Sequence, residues 1–294
     1  MTPSAPVVPQ PSRLSHRAPL SGARRAVLLL VALSGLWAAI KLDLTPHRLV
    51  PDTGGLRLAA RFLGAALTPA LTYEAEFVPA GAPPLLGRVG IAAMKTIAFA
   101  AAATSLALLG GGGLAFLASH SFWSERGGRR SPVAPVVYGV TRTVIALSRS
   151  VHELLWAVVF LSAMGLTPIA AVVAIAIPYA GVFAKVFSEM LDEAPRDTAA
   201  ALRDAGASPF RAFLFGLVPR ALPDMTGYAL YRFECALRSA AVLGFFGIPT
   251  LGLYLQQSFA NAHYREVWSY LYAMFALVVT LDWWSGAVRR RMVA

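Results

Sequence analysis

Long blocks of apolar residues almost free of charge constrain this chain more than any other feature. Six can be read, at about Ala26–Ile40, Ile91–Ala118, Glu153–Leu166, Ile169–Val186, Tyr228–Leu255 and Val267–Ala287. A backbone surrounded by lipid must satisfy its own N–H and C=O groups, so such blocks become helices. The rest of the composition agrees. Hydrophobic residues make up 57% of the 294 and charged residues 14%, against roughly 25% charged in soluble proteins. The expected fold class is therefore an all-α integral membrane protein with six transmembrane helices.

Orientation follows from where the basic residues fall. With the N-terminus inside, the inner segments hold Arg13, Arg17, Arg24 and Arg25, then Arg126, Arg129 and Arg130, then Arg196, Arg203, Arg211 and Arg220, and finally Arg289, Arg290 and Arg291. The outer segments hold Lys41, Arg48, Arg57, Arg61, Arg88 and Arg265. The bias predicts both termini in the cytoplasm. Residues 1–25 form a Pro- and Ser-rich tail expected to be disordered. Residues 26–41 are read as an uncleaved first anchor, because Trp37 and Lys41 stand where a signal peptide would carry small residues. Residues 42–88 form an outer segment in which Leu56, Ala60, Phe62, Leu63 and Leu67 predict an interfacial amphipathic helix.

Several functions lack their residues. The net charge of +11 arises from basic inner loops, and no basic stretch with interleaved aromatics marks a nucleic-acid surface, so no nucleic-acid partner is expected. There is no GxxxxGK[ST] loop, no HExxH and no GxSxG. Gly110–Gly113 lie inside an apolar block, where glycines let helices approach closely. A single cysteine, Cys235, excludes an internal disulfide. An acid–base pair of His152 and Glu153 is all that a membrane enzyme would have to work with. An ion-coupled transporter or channel for a small anion is the other rival reading.

Two constellations remain. The first is the polar stretch from Ala194 to Pro223, in which Ala199–Ala201 favour a short helix, Gly206 closes it, and Phe210, Phe213, Leu214 and Leu217 recur at helical spacing. Pro219 and Pro223 are expected to break the chain before the fifth span. The second is a set of ionisable residues within the spans, which at membrane depth must pair or face a polar path. Three acid–base pairs stand four residues apart: Arg149 with Glu153, Lys185 with Glu189, and Glu234 with Arg238. Arg238 falls deepest, and its guanidinium suits an oxyanion. Glu234, Arg232, Glu153, His152 and Arg149 complete the candidate path, with Lys95 weaker. Asp282 is expected to pair with Arg289.

The wording of these segments resembles a known family. SRSVHELLWAVVFLSAMGLTP (148–168), FAKVFSEMLDEAP (183–195), DAGAS (204–208), LYRFECALRSAAVLGFFG (230–247) and TLDWWSGAVRRRM (280–292) are similar to the phosphonate-type permeases of ABC importers, from about Ile91 to the C-terminus. The resemblance implies a type I importer bundle, with residues 89–294 as the permease core and 190–223 as a cytoplasmic loop that docks an ATPase. Ala200, Ala201, Arg203, Asp204, Gly206, Ala207, Ser208 and Pro219 take the coupling positions. It also implies separate ABC ATPase subunits carrying ATP and magnesium, an extracytoplasmic solute-binding protein, a second permease subunit, and location in the inner membrane. No cofactor is expected on this chain. Two departures stand out. Ala200 occupies the place of an acidic residue, and GIPTLG (247–252) replaces a more glycine-rich stretch. Either the partner permease is a paralogue that supplies what is missing, or the loop has diverged in a homodimer.

Overall fold

A computed structural model describes residues 22–44, 52–125 and 133–293. The N-terminal tail and Arg126, Arg129 and Arg130 therefore lie outside the described residues. The chain divides into two units, residues 1–60 and 61–294. In the first, α1 (Gly22–Lys41) is apolar all round, with Val27, Leu30 and Ile40 all exposed. Helix α2 (Thr53–Ala65) bears out the expected helix in the outer segment. The helix runs on into the second unit, where Phe62 packs on Trp268, Tyr264 and Phe259 of that same unit at 5.3–6.3 Å between ring centroids.

The second unit is an all-helical bundle around two long helices, α3 (Leu85–Ala118) and α7 (Pro168–Glu193). Small residues let them approach: Ala100, Ala103, Ala107, Gly111 and Ala115 of α3, and Ala170, Ala171 and Ala174 of α7, are buried. A Cβ added at Gly111 would lie 2.6 Å from the Ala180 carbonyl oxygen. That glycine is needed for contact, as expected for the 110–113 run, whereas Gly112 and Gly113 meet nothing. At 34 residues, α3 is about 51 Å long, so its ends belong to opposite faces of the bundle.

Around this pair lie the short α4 (His120–Glu125), α5 (Val133–Ser150) and α6 (Glu153–Met164), then α8 (Asp197–Asp204), α9 (Pro209–Ala212), a π-helical turn (Phe213–Leu217), α10 (Val218–Val242), α11 (Leu251–Ala260) and α12 (Tyr264–Val293). Among the described residues, α3, α7 and α12 are each long and apolar enough to cross a membrane. Two bent pairs pass the same test only when each is taken as one span, which gives up to five: α5 with α6, turning 90°, and Pro209–Phe246 with α11, turning 47°.

Three expectations change. The third apolar block is a helix of only 12 residues, about 18 Å, too short for a hydrocarbon core of about 30 Å. It follows α5 across a 90° bend, and only the two together are long and apolar enough to span. The fifth block is interrupted rather than continuous. Leu243–Phe246 tighten into a 3-10 turn, Gly247 takes φ +94°, and α11 leaves at an angle of 47°. Gly252 makes this possible, since a Cβ there would sit 2.1 Å from the Ala241 carbonyl oxygen. Pro219 and Pro223, expected as breaks, both lie inside α10. Pro219 stands in the first turn, where no N–H is missed.

Candidate functional site

At the Ala118 end of α3, residues 194–223 fold against the bundle. Helix α8 ends in a Schellman motif: the Ala207 N–H donates to the Leu202 carbonyl and the Gly206 N–H to that of Arg203, both at 2.9 Å. This places Gly206 at φ +86°, the left-handed region that a side chain resists. The sequence reading of a glycine-closed helix is borne out. Ser208 and Pro209 then start α9, whose Ala212 is buried.

What holds the segment is apolar. Phe213 and Leu217 are fully buried, and the Phe213 ring meets Phe116 and Phe122 edge-on at 5.9 and 5.5 Å. Ala199 of α8 presses onto Gly216, where a Cβ would come within 2.7 Å of the Ala199 Cα. Polar ties complete the anchor. Asp192 accepts from the Ser119 hydroxyl and from the N–H groups of His120 and Ser121, at 2.7–3.0 Å, fastening the start of α4 to the end of α7. Arg196 donates to Ser121 at 3.0 Å, and Arg220 donates to Thr198. Ala200, Ala201, Arg203, Asp204, Gly206, Ser208 and Pro219 remain exposed, with Ala207 half-buried. The buried side of the segment is thus fixed to the bundle, and the expected coupling residues lie on its open side.

A second polar group lies between α6, α7 and α10. The Tyr179 hydroxyl and Ser239 Oγ are 3.1 Å apart, and Ser239 donates to Glu153 Oε1 at 3.0 Å. The Arg232 guanidinium lies 4.2 Å from the centre of the Tyr179 ring, and its Nε is buried with no hydrogen-bond partner. His152 caps α6 through its Nδ1, and its Nε2 stands 3.5 Å from Glu153 Oε2. No carboxylate among the described residues forms a salt bridge with Arg149, Arg232 or Arg238. Within this group Arg232 and Glu153 are the charged side chains, and Glu153 already accepts a hydrogen bond.

Two of the expected pairs are not made. Arg149 and Glu153 fall on either side of the 90° bend, so they do not share a helix face. Glu234 turns away from Arg238: it accepts from the Ser285 hydroxyl and lies 3.8 Å from Arg289, locking α10 to α12. Arg238 is exposed and donates to Cys235 Sγ at 3.4 Å. The third pair forms, Lys185 reaching Glu189 at 2.6 Å, and Asp282 stands 4.0 Å from Arg289 as expected.

Comparison with known proteins gives this geometry its context. The profile of the binding-protein-dependent transport system inner membrane component family matches residues 132–294, more than half the chain and the part that holds both groups of residues. The chain belongs to this family. It is 29% identical to a phosphite transport system permease protein of Stutzerimonas stutzeri, over 67% of this chain and 68% of that one. It is 30% identical to a phosphate-import permease protein of Mycolicibacterium smegmatis, over 71% of this chain but 38% of the longer relative. Its fold matches a chain of the methionine ABC transporter in inward-facing conformations, with a TM-score of 0.61, 20% identity, and 72% and 99% coverage.

This permease is accordingly a multi-pass inner-membrane subunit, and ATP hydrolysis belongs to a separate ATPase of the importer. Sequence reasoning missed Tyr179 and Ser239. The signal was present in a tyrosine inside an apolar helix, directly after Pro178, and a serine directly after Arg238. Both are polar hydroxyls that lipid disfavours unless they find partners.

Proposed function

We propose that this permease imports phosphonate or a related phosphorus oxyanion, delivered by an extracytoplasmic binding protein and driven by ATPases docked on residues 194–223. The observation that carries the proposal is the Arg232 guanidinium laid on the Tyr179 ring with its buried Nε unpartnered, beside a Glu153 already engaged by Ser239. Arg149, Arg232 and Arg238 have no salt-bridge partner, while Glu153 is engaged by Ser239. Guanidinium binds tetrahedral oxyanions through paired N–H groups. The names of the relatives, which concern phosphite and phosphate, point to the same class of ion.

The chain's own residues act as follows. Arg232, steadied on the Tyr179 ring, presents donors toward the path, with Arg149 and Arg238 adding attraction. Glu153, held by Ser239, limits the net charge so that the ion can leave. Orientation follows the basic-residue bias, with the docking segment and both termini in the cytoplasm. Two permease subunits, a pair of copies or a paralogous pair, enclose the path. ATP and magnesium bind the ATPases, whose closure draws the two docking segments together. The ridge around Gly206 takes up that force, and Phe213 and Leu217 pass it to α3 and α7. The bundle then switches between two access states.

Purification with the cognate ATPase and reconstitution with the binding protein test this reading. Oxyanion-stimulated ATP hydrolysis is expected, and changing Gly206 or Ala207 to a bulky charged residue should abolish it. Stimulation that persists in those variants contradicts docking at this segment.

A further inference from the structure

The end of the bundle opposite the docking segment holds a second polar pocket, in which Arg88 and Glu266 are the charged side chains. It is built where α3 begins, where α11 ends and where α12 begins. Arg88, in the first turn of α3, has its guanidinium carbon 4.7 Å from the centre of the Tyr73 ring and 5.5 Å from that of Tyr254. Both rings are themselves fixed. The Tyr73 hydroxyl donates to the Pro83 carbonyl at 2.8 Å, and Tyr254 stacks on the buried Tyr270 at 6.0 Å. The pocket around Arg88 has a volume of about 120 Å³ and is also lined by Gln257, Asn261 and His263.

Its chemistry turns on how each charge is held. Aromatic faces attract a guanidinium by its flat side and leave the N–H groups on its edge available. No hydrogen bond or ion pair among the described residues occupies the Arg88 side chain, nor the side-chain amides of Gln257 and Asn261. The acid of the pocket is in the opposite condition. Glu266, 5% exposed, accepts from the Glu74 N–H at 2.7 Å and from the Ser258 hydroxyl at 2.8 Å. Glu74 in turn accepts from the N–H groups of Arg265 and Glu266, both at 3.2 Å. These bonds clamp the 68–76 stretch onto α12 and use both Glu266 oxygens. Unoccupied donors on Arg88, Gln257 and Asn261, beside a carboxylate whose lone pairs are engaged though its charge remains, suit an oxyanion whose charge Arg88 balances. A compact oxyanion fits the volume of about 120 Å³ and the donor edge.

We propose that Arg88, Gln257 and Asn261 bind a phosphorus oxyanion at the end of the bundle opposite the docking segment. About 51 Å of α3 separates this pocket from that segment, and none of its residues belongs to the cluster around Arg232. The proposal rests on the import reading only for the ligand's role, that of cargo received before it reaches the central path. The same chemistry could instead come from the phosphate of a lipid headgroup.

The test uses the permease–ATPase complex without binding protein, in nanodiscs of phosphatidylcholine alone or with one-third phosphatidylglycerol. Binding of phosphite, methylphosphonate and inorganic phosphate is measured by calorimetry for the unaltered chain, Arg88→Gln, Arg88→Lys and the double variant Gln257→Ala/Asn261→Ala. Loss of a charge-assisted pair should weaken binding at least about tenfold in Arg88→Gln, with Arg88→Lys intermediate. The double variant keeps Arg88 on its rings and should also weaken binding, which separates ligation from folding. Equal affinity in both disc types assigns the site to soluble cargo; competition by phosphatidylglycerol assigns it to a headgroup. Unchanged affinity in both Arg88→Gln and the double variant overturns the proposal. Uptake by the unaltered complex is measured in parallel, so failure of the import reading shows there and not in the Arg88 comparison.

Discussion

Three residues carry most of the chemical argument, and each makes a prediction at its own scale. Half-buried Arg232 lies on the Tyr179 ring with a buried, orphan Nε, which is costly unless a ligand completes it. Arg232→Met should lower uptake by about tenfold or more while the complex still assembles. Loss of assembly would instead make the arginine a structural prop. Ser239→Ala removes the link between Tyr179 and Glu153 and leaves Glu153 less restrained. Transport is expected to slow with the apparent affinity for the oxyanion reduced, read as a raised KM in proteoliposomes. Gly206 at φ +86° is the mechanical case. Gly206→Val should cost about 1–2 kcal/mol in that conformation and uncouple ATP hydrolysis from uptake without loss of the membrane-embedded bundle. These residues differed in how far the sequence revealed them. Gly206 could be read because a helix end requires that conformation. Glu234 could not, because its partners Ser285 and Arg289 are some fifty residues away and local spacing pointed to Arg238.

At the scale of elements, apolar blocks located most of the helices, but bends were hidden from them. A four-residue spacing implies a shared face only if the helix continues. The 90° turn at residues 151–152 separates Arg149 from Glu153 for that reason. Helix α5 escaped notice because its apolar residues fall on one side of a mixed sequence, with Val133, Val136, Val140, Val144 and Leu147 all exposed at helical spacing. The role of Gly111 was legible as close packing, and the structure names what it packs against. Gly111→Leu would drive atoms into the Ala180 carbonyl and Phe183. Overpacking of this kind costs about 1–3 kcal/mol, so a lower melting temperature in detergent is expected. The equivalent change at Gly113, which meets nothing within 4 Å, should leave melting unaltered.

For the whole molecule, the central idea is a division of labour across the bundle. One end of α3 lies against the anchored ridge around Gly206 and the other carries Arg88, while the polar group around Arg232 lies between α6, α7 and α10. Ala200, exposed on the ridge, lacks the acid that the family resemblance leads one to expect. Native mass spectrometry should find two permease subunits for each pair of ATPases, and the second mass will tell a copy from a paralogue; one permease per complex contradicts an enclosed path. The most direct test is uptake of radiolabelled phosphite or methylphosphonate into proteoliposomes holding the permease and its ATPase, with binding protein outside. The account predicts accumulation only when ATP is present on the ATPase side and the binding protein on the other. Uptake that proceeds without ATP, or follows an imposed ion gradient, would contradict it.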